Sequence, residues 1–171
     1  MSGIIIYKSK YGSTKQFSEW LKEEMGWDLR EASDVPSNLK YYNTIVIGNS
    51  IHGGELSLKK WIIRNWDAIK GKNVVIMLTS GTGDPRFIQK TFEKSLPEEI
   101  RIKIALFPVG GRYLFSGMSI FDRTAIKIVA FFKKKPELKK GMLTERDNVN
   151  RDNLKEIVEF LKNTHVESTN L

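Results

Sequence analysis

The 171-residue chain contains no cysteine and only two histidines. A chain without thiols can form neither disulfides nor a cysteine-ligated metal site, and it has no thiol nucleophile. His52 and His165 are the only imidazoles, and two imidazoles alone rarely complete a metal site. We therefore expect no metal, and the absence of disulfides favours the cytoplasm as the compartment.

Long hydrophobic runs are also missing, because no apolar stretch reaches the ~18 to 20 residues of a membrane-spanning helix. Three isoleucines follow Gly3 before charged residues return, which is too short for a signal peptide. The composition is still 40% hydrophobic and 11% aromatic, enough for a packed core. We expect one domain over residues 1–171, with a flexible tail at about 164–171.

Acidic residues are outnumbered, with 28 Lys and Arg against 20 Asp and Glu and a net charge of +8. This excess favours an anionic partner such as a phosphate cofactor, an acidic protein, a membrane surface or nucleic acid. No recognition helix or clustered basic stripe supports nucleic acid, so we do not expect it as a partner. The composition makes no prediction about oligomeric state.

Five short apolar stretches predict β-strands, and segments with apolar residues at helical spacing lie between them. Strands with continuous apolar runs, such as "TIVIG" and "VVIMLT", are typical of a parallel sheet covered on both faces. A final helix is predicted near residues 153–162. The predicted strands are residues 4–7, 27–30, 44–48, 74–79 and 100–111.

Three loops rich in glycine, hydroxyl and amide groups follow predicted strands. They are "SKYGST" (residues 9–14), "NSIHGGE" (residues 49–55) and "SGTGD" (residues 80–84). In an open parallel sheet the ligand binds beyond the carboxyl ends of the strands, at the point where the strand order reverses. We therefore expect the three loops to converge on one ligand.

The first loop has the composition of a phosphate site. Ser9, Ser13 and Thr14 offer hydroxyl groups, Gly12 permits a tight turn, and a helix is predicted to start near Ser13. The free N–H groups and positive dipole end of that helix attract anions. The loop does not end in G-K-[ST], so it is not a P-loop, and it lacks G-x-G-x-x-G. The alternative is that Ser13 and Thr14 only cap the helix.

"SKYGST" after the first strand resembles the phosphate loop of flavodoxins, and the resemblance covers nearly the whole chain. It implies an α/β flavodoxin-like fold, a doubly wound five-stranded parallel sheet in order 2-1-3-4-5 with helices on both faces, holding FMN at the switch point. "GNSIHGG" and "TSGTGD" match the loops that flank the flavin ring in that family. The resemblance assigns the phosphate to Ser9, Lys10, Tyr11, Gly12, Ser13 and Thr14, and the ring to Asn49, Ser50, Ile51, His52, Gly53, Gly54, Ser80, Gly81, Thr82, Gly83 and Asp84.

The second half is similar to menaquinone-dependent protoporphyrinogen IX dehydrogenases, a branch of the same fold. That branch has an aromatic and basic insertion after the fifth strand, which the resemblance places at about residues 110–140. The similarity lies in "VGGRYLFSGMSIFDRTAIKIVAFFKKKP" and in "IGNSIHGG". It implies an FMN enzyme that oxidises a porphyrinogen with a quinone as acceptor, with Arg112 and Tyr113 beside the flavin. The alternative is a soluble flavodoxin-type electron carrier with a redox partner. Carriers of that family are typically acidic, whereas this chain is basic.

Several features of the ring loops leave alternatives open. "SGTGD" has no aromatic residue to stack on a flavin, so one face is either open to substrate or covered by Tyr113 or Phe115. His52 is either a solvated loop residue or a catalytic proton carrier. Either Gly53 or Gly54 is expected to present its peptide group to the flavin N5.

The expected environment of the flavin is positively charged. Lys8, Lys10, Lys15 and Arg112 are predicted to lie near its ring.

Residues 119–132 predict a helix that starts with the capping sequence "SIFD" and runs into "KKK" at residues 133–135. Its apolar arc is wider than one core-facing side requires. The first interpretation is an ordinary packed helix whose lysines complement the dipole. The second is an interfacial helix that brings the protein into peripheral contact with the inner face of the cell membrane.

Overall fold

The structure is a computed structural model that describes residues 2–167. Five parallel strands form its central sheet, in the spatial order β2-β1-β3-β5-β6. A short strand, β4 (Glu55–Leu56), pairs antiparallel with the end of β3 and stands outside this series. Without it, the order is the predicted 2-1-3-4-5, so the flavodoxin-like fold is confirmed. The five strands are β1 (Gly3–Tyr7), β2 (Asp28–Glu31), β3 (Thr44–His52), β5 (Asn73–Thr79) and β6 (Ile104–Gly110).

Two apolar cores cover the two faces of the sheet because side chains alternate along each strand. Ile4 and Ile6 of β1 face one core, while Ile5 faces the other. The first core is completed by α2 (Lys59–Ile69) and α3 (Pro85–Ser95), and the second by α1 (Ser13–Met25) and α7 (Lys155–Glu167). The continuous apolar runs of the sequence thus indicate burial on both faces, as expected.

The start of the last strand differs from the prediction. Residues 98–101 form a short helix, α4 (Glu98–Arg101), and β6 begins only at Ile104. Alternating isoleucines at positions 100, 102 and 104 have strand periodicity, but Ile102 is 73% exposed. Pro97 at the N-cap position and the two acidic residues of the first turn favour a helix there.

The bounds of the C-terminal helix also differ slightly from the prediction. A 3₁₀ turn (Arg151–Leu154) precedes α7, so the α-helix begins at Lys155, two residues after the predicted start. It extends to Glu167, into the segment predicted as a flexible tail. The rest of that tail, residues 168–171, lies outside the described residues.

An excursion of the chain follows β6 and returns to the same edge. Its two ends are β7 (Arg112–Tyr113) and β8 (Arg146–Asp147), which pair antiparallel. Between them lie α5 (Ile120–Phe131) and α6 (Pro136–Leu143), and Ser119 caps α5 by accepting a hydrogen bond from the Asp122 N–H at 3.2 Å. The insertion thus extends beyond the predicted 110–140. Within residues 2–167, no helix is both long enough and apolar enough to cross a bilayer.

The packing of the central strand gives a first prediction. Ile47 of β3 is fully buried, whereas Ile63 of α2 is 45% exposed. Ile47→Ala should lower the free energy of unfolding by about 2 to 5 kcal/mol, through lost burial and a residual cavity. Ile63→Ala should change it by less than about 0.5 kcal/mol, as surface substitutions usually do. Chemical denaturation measures both, and equal losses would contradict the assigned core.

Candidate functional site

The three polar loops meet at the carboxyl edge of the sheet, as predicted. Strands β1 and β3 are adjacent there, and the chain crosses from one side of the sheet to the other between them. This is the switch point at which open α/β sheets bind ligands. One cleft opens at that edge, lined by Ser9, Lys10, Tyr11, Ser13, Thr14, Ser50, Ile51, His52, Thr79, Ser80, Gly81, Gly111 and Arg112.

The start of α1 has the geometry of an anion site. Gly12 adopts a left-handed conformation with φ of 88°, and α1 begins at the next residue, Ser13, with no side-chain cap. The first hydrogen bond of the helix runs from the Gln16 N–H to the Gly12 carbonyl oxygen at 2.9 Å. The earlier N–H groups therefore have no partner within the helix. The interpretation of Ser13 and Thr14 as simple caps is wrong.

The hydroxyl groups of this loop divide into two kinds. Ser9 accepts a hydrogen bond from the Gly12 N–H at 3.1 Å, and Ser13 accepts one from the Arg112 N–H at 3.2 Å. Both serines act only as acceptors in these bonds, so each keeps its own proton for an anion.

Thr14 is different, because its Oγ1 lies 2.7 Å from the Oγ1 of Thr79. Thr79 donates its one proton to the Asn49 carbonyl oxygen at 3.0 Å. Thr14 must therefore be the donor in the bond to Thr79, since a hydroxyl has a single proton. Its side chain links α1 to β5, and an anion would be bound by its backbone N–H instead.

The second loop is organised by Asn49, which is fully buried. Its Oδ1 accepts hydrogen bonds from the Ser50 N–H, the Ser57 hydroxyl and the Leu58 N–H. Its Nδ2 has no partner among the described residues. The amide oxygen of Asn49 thus supports the loop, and Asn49 itself does not line the cleft.

Gly53 and Gly54 form the turn between β3 and β4. Their φ angles are 59° and 78°, and two consecutive positive φ angles are typical of a type I′ hairpin turn. Neither glycine lines the cleft. A peptide contact from this turn to the flavin N5 stays a prediction.

The third loop holds its shape through its own hydroxyl groups. Ser80 accepts a hydrogen bond from the Thr82 N–H, and Thr82 accepts one from the Asp84 N–H, each at 3.2 Å. Asp84 caps α3 by accepting from the Arg86 N–H at 3.0 Å. Ser80 and Gly81 line the cleft, whereas Thr82, Gly83 and Asp84 continue away from it towards α3.

His52 lies in the cleft at the end of β3, with its ring edge-on to Tyr11 at a centroid distance of 6.0 Å. Burial lowers the pKa of His52 below its usual 6.5, and the positive charges of Lys10 and Lys8 lower it further. The imidazole is therefore mainly neutral at pH 7, with one ring nitrogen that carries a proton and one that can accept a proton. Its catalytic role stays a prediction.

Arg112 and Tyr113 follow β6; Arg112 lines the cleft, and Tyr113 packs against Gly81 of the third loop. Ideal Cβ positions at Gly81 and Gly111 would lie 2.6 Å from the Tyr113 Cβ and 2.8 Å from the Ser80 carbonyl oxygen. Only glycine therefore allows these segments to pack so closely. The Tyr113 hydroxyl donates to the Met142 carbonyl oxygen at 2.6 Å, and burial raises its pKa. Whether one flavin face is open to substrate or covered by Tyr113 or Phe115 stays a prediction.

The positive charge expected around the flavin is largely paired. Arg112 Nε lies 2.7 Å from Asp147 Oδ2, and this pair holds the pKa of Asp147 below its usual value. Lys15 lies 3.9 Å from Glu19. With Lys10 also paired, three of the four cations have an acidic partner, so their field at a flavin is weaker than the sequence suggested.

Asp122 is the residue that pairs with Lys10, and sequence reasoning did not place it in the site. Its Oδ2 accepts from the Lys10 ammonium at 2.6 Å and from the Tyr11 hydroxyl. The sequence identified Asp122 only as part of the helix-capping pattern. Its contact with a loop more than a hundred positions away depends on how the excursion folds back. Thr79 and Gly111 line the cleft as well, although they were not among the predicted site residues; each stands next to one of them in a quoted segment.

A family model for the flavodoxin domain matches residues 4–139. The chain belongs to the flavodoxin-domain family. A comparison with curated proteins finds no match. Among residues 2–167, no group of three or more His, Cys, Asp or Glu could hold a metal ion.

Solved structures of similar fold include three proteins of low sequence identity. A mutant flavo di-iron protein from Thermotoga maritima has a TM-score of 0.51 and 10% identity, covering 95% of this chain and 35% of that one. A flavoprotein in complex with FMN from Lactobacillus acidophilus has a TM-score of 0.46 and 18% identity, covering 64% and 91%. A flavodoxin from the domain Archaea has a TM-score of 0.45 and 20% identity, covering 63% and 85%. Only the first of these has a TM-score above 0.5, and at 10% identity it supports the fold alone.

FMN is the cofactor of this flavodoxin-domain protein, and the residues present fit its phosphate. The uncapped start of α1 and the free protons of Ser9 and Ser13 together supply donors for a doubly charged anion. The flavin ring would extend from there between the loops at Ser50–His52 and Thr79–Gly81.

The two kinds of hydroxyl give a prediction about phosphate binding. Ser13→Ala should lower the ratio of FMN affinity to riboflavin affinity about tenfold, because a hydrogen bond to a charged group contributes about 1.5 kcal/mol or more. Thr14→Val removes the bond to Thr79 and should reduce stability but leave that ratio unchanged. Fluorescence titration with both flavins measures the ratio. An equal fall of the ratio in both variants would contradict the different roles assigned to the Ser13 and Thr14 hydroxyl groups.

The carboxylate of Asp122 gives a second prediction, because it lies beside a loop that must hold a phosphate. Asp122→Asn should remove a repulsion of about 1 kcal/mol and tighten FMN binding about fivefold. Riboflavin, which has no phosphate, is the matched control and should bind equally to both proteins. Weaker FMN binding by Asp122→Asn would contradict the expected repulsion. It would mean that Asp122 mainly positions Lys10 and Tyr11 for the phosphate.

Proposed function

We propose that this flavodoxin-domain protein is an FMN-dependent oxidoreductase that oxidises a porphyrinogen or a similar substrate and passes the electrons to a quinone. The observation that carries the proposal is the position of Arg112, at the start of the excursion after β6. Arg112 lines the flavin cleft, and its side chain is 41% exposed. An exposed guanidinium beside a flavin suits a substrate with carboxylate groups, such as the propionates of a porphyrinogen.

The reaction proceeds in two-electron steps. In each step the substrate loses two electrons and two protons, and one quinone gains both to become a quinol. Three such steps convert a porphyrinogen into a porphyrin. Bound FMN would supply the group that takes the electron pair from the substrate and passes it to the quinone.

The side chains of the cleft have separate tasks in this proposal. Arg112 would bind and orient the carboxylate of the substrate. His52, which is neutral at pH 7 because of burial and the nearby lysines, would accept a proton that leaves the substrate. Tyr113, whose hydroxyl donates to the Met142 carbonyl oxygen, would pack against Gly81 and keep the neighbouring Arg112 in position.

A quinone acceptor resides in lipid, so the proposal also includes peripheral contact with the inner face of the cell membrane. The exposed apolar side chains of α5 are the candidates for this contact. They belong to the same excursion that carries Arg112.

The test compares Arg112→Ala with Asp147→Asn. Both break the ion pair of 2.7 Å, but only the first removes the guanidinium. With porphyrinogen and a soluble quinone, Arg112→Ala should lower kcat/KM about tenfold or more, because it removes a charge-assisted contact to substrate. Asp147→Asn should keep most of the activity, and both variants should retain FMN.

Two results would contradict the proposed function. Equal losses in both variants would mean that Arg112 acts only through the β7–β8 pairing. A wild-type protein that lacks turnover and exchanges single electrons rapidly with a ferredoxin-type partner would be a basic electron carrier instead.

A further inference from the structure

Helix α5 carries its apolar stripe on the side that faces solvent. Phe121, Ala125, Ile128 and Phe132 are spaced at i, i+4, i+7 and i+11, which places them on one side of a helix. In a packed helix this stripe faces the core. Here Phe121 is 89% exposed, Ile128 53% and Phe132 75%, and Ala125 is exposed as well. The only buried residue of α5 is Ala130, so packing against the domain does not explain the stripe.

The exposed apolar surface is concentrated in this helix. Of the eleven large apolar side chains that are exposed among the described side chains, six lie between Ile120 and Phe132. Ile120 and Phe131 flank the stripe and are 79% and 72% exposed. A contiguous apolar patch of this kind marks an interaction surface, whereas single exposed apolar residues do not.

The charge around the stripe identifies its partner. Residues 119–143 contain seven Lys and Arg against two acidic residues, and one of those, Asp122, is paired with Lys10. Lys127 is exposed on α5, and three more exposed lysines, at positions 133–135, follow the end of the helix. The patch is thus both apolar and cationic. A second copy of the chain would bring like charges together, which opposes self-association.

A bilayer surface with anionic headgroups matches both properties. Its acyl boundary accepts apolar and aromatic side chains, while its headgroups attract lysine. The twelve residues of α5 are too few to span a bilayer but sufficient to lie in its surface.

We propose that the lipid-docking face of this protein, formed by Phe121, Ala125, Ile128 and Phe132 with Lys133–Lys135, binds anionic bilayers. The inference deepens the membrane contact of the proposed function, but it depends only on α5. Because Asp122 on the same helix bonds to Lys10 and Tyr11 beside the flavin cleft, docking would hold that cleft next to the lipid surface.

The experiment is co-sedimentation of the FMN-loaded protein with two kinds of vesicle, phosphatidylcholine alone and phosphatidylcholine mixed with phosphatidylglycerol. The protein should bind the anionic vesicles at low salt, release at high salt, and bind neutral vesicles at least about tenfold more weakly. The double variant Phe121→Ala/Phe132→Ala should lose most of the binding. The matched control Ile63→Ala/Phe87→Ala removes two exposed apolar side chains, 45% and 42% exposed, and should bind as the wild type does.

Replacing Lys133, Lys134 and Lys135 with glutamine should weaken binding and reduce its dependence on salt. Retention of FMN in every variant shows that the fold survives. Absence of binding to anionic vesicles, equal binding to both vesicle types, or equal losses in the control variant would overturn the proposal. So would a dimer in light scattering that the double variant dissociates, because the stripe would then be an interface between copies.

The outcome is independent of catalysis, since lipid binding is measured without substrate or quinone. A protein that binds lipid but lacks turnover retains the docking face and loses the proposed reaction. A protein that oxidises porphyrinogen with a soluble quinone but does not bind anionic vesicles would retain the proposed reaction and lose the lipid-docking face.

Discussion

The unpaired N–H groups at the start of α1 are the feature around which the site is built. A helix that begins directly after a left-handed glycine, with no side-chain cap, leaves several strong donors without partners, and this arrangement is stable only where water or an anion can reach them. The parallel sheet meets that condition, because it brings β1 and β3 side by side and opens a cleft between their loops. The remaining loops then shape the cleft, through Asn49 on one side and the hydroxyl bonds of residues 80–84 on the other.

The excursion after β6 is joined to this same feature. Ser13, the first residue of α1, accepts a hydrogen bond from the Arg112 N–H, and Asp122 bonds to Lys10 and Tyr11 of the preceding loop. Close packing of Gly81 against Tyr113 adds a third contact. The excursion therefore contacts the phosphate loop both at its start and at α5. Binding of an anion at that loop should change the free energy of the contacts between the loop and α5. By linkage, a change in those contacts should alter the anion affinity of the loop.

The sequence predicted the parts of the fold that depend on local pattern, and it missed those that depend on long-range placement. Continuous apolar strands, glycine-rich loops and the capping serine at position 119 are all readable from neighbouring residues. The predicted start of the last strand at Ile100 was wrong, because alternating isoleucines satisfy strand periodicity even where a proline and two glutamates start a helix. Likewise, nothing near Asp122 in the sequence indicated its contact with Lys10 and Tyr11. Thr79 and Gly111 stand beside predicted site residues, but their place in the cleft depends on how the loops converge. The ion pair of Arg112 could not be predicted, because Asp147 is distant in the sequence.

A crystal structure of the protein with FMN would test the central claim most directly. The account predicts one FMN per chain, with its phosphate oxygens within hydrogen-bond distance of the Ser13 and Thr14 N–H groups and of the Ser9 and Ser13 hydroxyls. The bond from Thr14 to Thr79 should persist in that complex. A flavin phosphate bound away from the start of α1, or a phosphate held mainly by the hydroxyl of Thr14, would contradict it.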